Sequence, residues 1–157
     1  MRILVLTGFW LVAIAVLFPW TPVSASDGAR AEYVGGTSAM LRTKTDGSLL
    51  VGSETQFVFR AHKAAVKVDY SKINLLEYGQ KVDRRYAMAL LVSPVFLLSK
   101  SRQHFLTVGY TDAENRQQAM VFRVAKGEIR SVLVSLEART GLKVQYQDTE
   151  ARKAGRS

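Results

Sequence analysis

Histidine and cysteine supply much of the side-chain chemistry available near neutral pH, and this chain has two of the first and none of the second. His62 stands beside Lys63 in a turn-like stretch, and His104 opens a segment of alternating apolar residues. Neither has a second histidine three to five positions away, the spacing with which a helix or loop grips zinc. Lack of cysteine removes disulfides, thiolate metal sites, a cysteine nucleophile and a lipid-modified cysteine. There is no Gly-x-Ser-x-Gly elbow, no Walker loop and no Gly-x-Gly-x-x-Gly turn. Paired carboxylates are the remaining route to acid–base chemistry. Asp112 with Glu114 falls in a predicted loop, and Glu128 with Glu137 in a predicted helix, where solvation and the helix dipole account for them. The residues predict no catalytic site, no metal and no cofactor.

Charge placement is more informative. Lys81, Arg84 and Arg85 precede an apolar stretch, and Lys100, Arg102 and His104 follow it. Residues 84–102 read RRYAMALLVSPVFLLSKSR. The apolar part, Ala87 to Leu98, falls well short of the ~20 residues a spanning helix needs, and Pro94 interrupts any continuous helix. It reads instead as two core arms, YAMALLV and PVFLL, with the cations solvating their exits; a partly exposed, membrane-touching loop is the alternative. If the arms fold back, the six basic residues meet at one end of the domain. Basic side chains beside apolar ones suit an anionic surface.

The elements that would position these residues belong to one exported domain. The 157 residues are 48% hydrophobic and 22% charged, the balance of a chain with a real core, and carry a net charge of +9. Arg2 precedes an almost unbroken apolar run from Ile3 to Phe18; Pro19 and Pro22 end it, and Val23-Ser24-Ala25 offers small residues for cleavage. This is the pattern of a signal peptide over residues 1–25, with an uncleaved N-terminal anchor as the alternative. The mature chain keeps 21 positive and 13 negative side chains, a net +8. An exported basic domain, periplasmic or secreted, meets envelope protein and anionic lipid headgroups rather than nucleic acid.

Along the mature chain, residues 26–32 read as a flexible lead and Tyr33 to Leu41 as a first strand, with a bend or bulge at Gly35-Gly36. LRTKTDGS reads as a turn-rich connection centred on Asp46-Gly47. TQFVFRA, AAVKVDY and INLLEY continue a meander; in the first two, Phe57, Phe59, Val66, Val68 and Tyr70 recur at period two. HFLTVGYT and QQAMVFRVA form a hairpin around the five-residue loop Asp112–Arg116. The period then changes: Ile129, Val132, Leu133 and Leu136 make one apolar stripe of a helix over about 128–140, which Gly141 ends. Leu142, Val144 and Tyr146 form a short extended segment, and 148–157 read as a flexible basic tail.

Several strands followed by one C-terminal amphipathic helix resemble the pleckstrin-homology superfold, including GRAM-type and bacterial PH-like domains. The strand VKVDY with SKINLLEYGQKV, the hairpin HFLTVGYTDAENRQQAMVF and the helix EIRSVLVSLEARTG carry the likeness, over about residues 33–141. It implies a mainly β domain, placed at 33–147, in which two antiparallel sheets form a barrel and the helix plugs one end. The phosphoinositide motif of PH domains, a Lys and then alternating Lys/Arg on the next strand, is not reproduced: Arg42 and Lys44 are followed only by Arg60. That site does not transfer, and a scaffold by itself assigns no function. The expectation is a non-enzymatic binding module of the cell envelope, contacting protein or anionic lipid. An enzyme with a converging acid–base pocket and a purely structural subunit are the alternatives.

Overall fold

The computed structural model describes residues 28–38, 40–81 and 103–156. Its elements, in chain order, are β1 (Ala29–Gly36), β2 (Thr45–Leu50), β3 (Gln56–Ala61), β4 (Ala65–Asp69), a 3-10 turn (Tyr70–Lys72), β5 (Ile73–Gly79), β6 (His104–Thr111), β7 (Gln117–Val124), α1 (Ile129–Thr140), β8 (Gln145–Tyr146) and α2 (Thr149–Arg156). The chain is thus mainly β with helix at its C-terminus. Its strands hydrogen-bond as one eight-stranded sheet in the order β4-β3-β2-β1-β7-β6-β5-β8. The sheet is open, with β4 and β8 at its edges. Among the described strands only β5 and β8 run parallel.

Alternation sets the two faces. On β3 and β4, Phe57, Phe59, Val66 and Val68 point inward, while Arg60, Lys67 and Asp69 are exposed. The β6–β7 hairpin pairs His104 with Val124 and Thr111 with Gln117, as the sequence predicts. Its loop is held by Asp112, whose Oδ1 accepts the backbone N–H groups of Glu114 at 3.0 Å and Arg116 at 2.8 Å. Burial opposes ionisation of this carboxyl, but the backbone and side-chain hydrogen bonds of Arg116, with that of Gln118, outweigh it and hold it below the ordinary range.

The sheet is strongly curved. β3 and β7 stand three strands apart, roughly 14 Å along a flat sheet. Yet the Phe122 ring on β7 lies 4.9 Å from Phe59 and 5.9 Å from Phe57, centroid to centroid. Only a sheet rolled about its concave face brings these rings together. That face holds the core, and α1 lies in it through Ile129, Val132, Leu133 and Leu136. Gly141 ends the helix in the left-handed region at φ 72°, its N–H donating to the Glu137 carbonyl at 3.0 Å.

Three expectations from sequence are corrected. First, β1 begins at Ala29, inside the stretch 26–32 read as a flexible lead. Ala29–Tyr33 is ordered because β2 pairs with it on one side and, from Ala31, β7 on the other. The expected bulge falls between Tyr33 and Gly35. Second, the supposed connection around Asp46-Gly47 runs into a strand, Thr45–Leu50. Gly47 serves close approach there rather than turning: a Cβ would stand 2.4 Å from the Arg60 carbonyl oxygen and 2.8 Å from the Phe59 ring. Third, the tail predicted as flexible over 148–157 contains α2. The Asp148 carboxylate accepts the Ala151 N–H at 2.6 Å, and Ala151 is fully buried. The predicted signal peptide over residues 1–25 lies outside the described residues.

Candidate functional site

The register of β5, β6 and β7 assembles the site. Gly79 pairs with Phe105, and His104 with Val124, so the exit of β5, the entry of β6 and the exit of β7 share one end of the sheet. Lys81, His104 and Lys126 therefore gather there. β1 brings Arg30 alongside, its carbonyl accepting the Ala125 N–H at 3.0 Å. An open groove of about 680 Å³ runs over this corner, lined in part by Arg30, Glu32, Asp46, His104, Arg123 and Lys126.

Within it, His104 is the side chain whose protonation matters most. Tyr78 is fully buried, and its hydroxyl lies 2.6 Å from His104 Nδ1, with the rings near-parallel at 15°. Burial pushes the Tyr78 phenol up to about 12; a hydrogen bond with Gln80 opposes this in part, and the negative charges of ionised Tyr146 and of Asp148 add to it. The phenol therefore stays protonated and shares a hydrogen bond with Nδ1, its direction set by the imidazole tautomer. Burial first, and then the positive charge of Lys126, lower the His104 pKa below its ordinary 6.5. At neutral pH this imidazole is therefore uncharged.

The groove's other charges are partly matched within the protein. The Arg123 guanidinium touches the Glu32 carboxylate, whose side chain is only 10% exposed. Glu128, just before α1, accepts the Arg30 backbone N–H and stands 3.5 Å from the Arg30 guanidinium. It fastens the helix start to β1 rather than sitting within the first turn. Lys126 and Asp46 are exposed.

Of the six residues singled out by sequence, Lys81 and His104 share one strand end, and Lys81 is exposed there. Arg84, Arg85, Lys100 and Arg102, with the apolar stretch Ala87 to Leu98, lie outside the described residues. Sequence reasoning missed Arg30, Arg123 and Lys126. Lys126 was within reach of it: counting outward from the five-residue loop sets this residue across from the entry to β6. Arg30 was not, because its position depends on β1 pairing with β7, nearly the whole domain apart in sequence.

The carboxylates considered for acid–base work have structural partners. Asp112 and Glu114 accept hydrogen bonds from the Arg116 guanidinium, and Glu137 accepts the Val144 N–H at 2.9 Å. Among the described residues no three metal-ligating side chains converge. None of the described helices is long and apolar enough to cross a membrane. No protein-family model matches the chain, and no curated protein matches it.

Proposed function

We propose that this chain is an exported, non-enzymatic binding module of the cell envelope that contacts an anionic partner, a protein or lipid headgroups, through the β5–β6–β7 end. The observation that carries the reading is the filled interior. Tyr33, Tyr78, Phe57, Phe59, Phe122 and Met120 occupy the concave side at 1% exposure or less, so recognition falls to the surface. There, Arg30 and Lys126 line one groove with His104, and Lys81 lies at the same strand end, where the described chain stops before residue 82 and resumes at Gln103. Arg84, Arg85, Lys100 and Arg102 belong to that intervening segment in the sequence. The same reading treats the rolled sheet and α1 as a PH-like barrel closed at one end by its helix. A run of four meandering strands, then three, then a helix against the concave face supports that architecture.

Flotation with anionic vesicles tests the lipid form of the reading. The mature domain should bind weakly at low salt, each exposed charge near the surface adding up to about 1 kcal/mol, and lose binding as salt is raised. Reversing Arg84, Arg85, Lys100 and Arg102 to Glu should abolish association with little change in melting temperature. Failure of the unmodified domain to float would leave an acidic protein surface as the partner. Failure to retain acidic envelope proteins as well would sink the proposal.

A further inference from the structure

The two edges of the open sheet are finished differently. β8 is only Gln145–Tyr146, and α2 follows it closely, with Gly155 set against Tyr146 and Tyr78. β4, at the other edge, has no strand beyond it among the described residues. Two bonds fix the phase of its ladder with β3. The Ala61 N–H donates to the Ala64 carbonyl at 2.8 Å, and the Tyr70 N–H to the Thr55 carbonyl at 2.9 Å. Hydrogen-bonded pairs recur at every second residue of an antiparallel ladder, so between these two they are Phe59–Val66 and Phe57–Val68. The N–H and C=O groups of Ala65 and Lys67, with the Asp69 N–H, therefore point off the sheet. All three residues are exposed. An open edge of this kind is a template for another strand.

Charge decides which strand fits. Over residues 60–72 the exposed cations Arg60, Lys63, Lys67 and Lys72 face one carboxylate, Asp69, so four positive charges less one leave +3. Asp69 is itself engaged, accepting from Gln56 Nε2 at 2.9 Å, and Glu54 lies beside it at the far end of the edge. A second copy would set these cations against their own kind, and an exposed lysine on a short edge strand deters such pairing. An acidic strand meets attraction instead. We infer that the β4 edge is a docking site for an extended acidic segment of a partner protein, which adds as a further strand beside Ala65–Asp69. Main-chain hydrogen bonds hold it in place. Carboxylates at alternate positions reach Lys67 and Arg60 on the outer, convex side, and small apolar residues between them lie beside Val66 and Val68. The inference does not rest on the groove at the β5–β6–β7 end.

Amide hydrogen exchange in the full chain tests it, with a capped peptide of alternating Val and Glu as the probe. In the protein alone the Lys67 N–H, facing off the sheet, should exchange freely. Excess Val–Glu peptide should slow it about tenfold or more, together with the N–H of Ala65 or Asp69. A peptide of alternating Val and Lys should leave these amides unchanged. Lys67→Glu should turn the preference toward the Val–Lys peptide, a reversal that loss of folding could not produce. Amides that stay fast with the Val–Glu peptide, whether or not it associates through charge alone, would overturn the inference. Protection by both peptides would overturn it too, since the edge would then be indifferent to charge. An unaltered preference in Lys67→Glu would count against it equally. Protection that grows with protein concentration in the absence of peptide would give the edge to a second copy and overturn the inference as well.

Discussion

His104 has its charge state decided by what surrounds it. Burial, and then the charge of nearby Lys126, disfavour the imidazolium, so the folded protein holds this histidine, which is hydrogen-bonded to Tyr78, below 6.5. The unfolded chain takes up a proton near its ordinary value whereas the fold resists it. The resulting stability is fully present above 6.5 and is lost as pH falls through the folded-state value. The melting temperature should therefore decline as pH falls below about 6.5, apart from the acid loss that Asp112 contributes below the ordinary carboxylate range. His104→Gln can keep a hydrogen bond with Tyr78 in either direction but has no proton to gain, so it should flatten the upper part of that decline. Parallel curves for parent and variant across this window would show that His104 is not linked to folding. None of this was legible in the sequence, where Tyr78 and His104 are separated by the segment 79–103; β5–β6 pairing joins them.

Among the elements, α1 and α2 show opposite degrees of legibility. The stripe Ile129, Val132, Leu133 and Leu136 is visible in the sequence because helical period and apolar type agree, and all four are buried. Leu133 is 2% exposed, so Leu133→Asp should leave an unpaired charge in the core and cost at least about 3 kcal/mol, read as a lower urea midpoint. Arg130→Asp on the exposed side should change the midpoint far less. α2, TEARKAGR, was missed because its buried side is made of the small residues Ala151 and Gly155, with no large apolar side chain to mark it among the charged ones. Its Gly155 lies where a Cβ would meet Tyr146 at 2.8 Å and Tyr78 at 3.3 Å. A chain ending at Asp148 should consequently lose about 1–3 kcal/mol and expose Tyr78 to water. Equal denaturation midpoints for the shortened and full chains would mean that α2 contributes nothing to the fold.

For the molecule as a whole, compartment and shape rest on different kinds of information. The pattern of residues 1–25 predicts that, in a bacterial host, the mature protein begins at Ser26 and lies outside the inner membrane. Intact mass is the measurement; retention of all 25 residues on every molecule would establish an anchor instead. Such a prediction needs no fold, because the export machinery reads a linear stretch of charge, apolar length and small residues.

The same local logic explains which parts of the domain its sequence determined by itself. Strand periodicity in β3, β4, β6 and β7, the hairpin loop around Asp112 and the α1 stripe with its Gly141 stop are short-range patterns. They follow from backbone geometry and from partition of apolar side chains between water and core. Tertiary structure alone decided that Asp46-Gly47 lies in a strand, because the need for a missing Cβ arises from Phe59 and Arg60 of the neighbouring strand. It also decided that β1 closes onto β7, rolling the sheet so that Phe122 meets Phe57 and Phe59 and Arg30 joins Lys126 beside His104. Those contacts depend on distant segments meeting in one register, and each half of such a pairing taken alone is compatible with many partners.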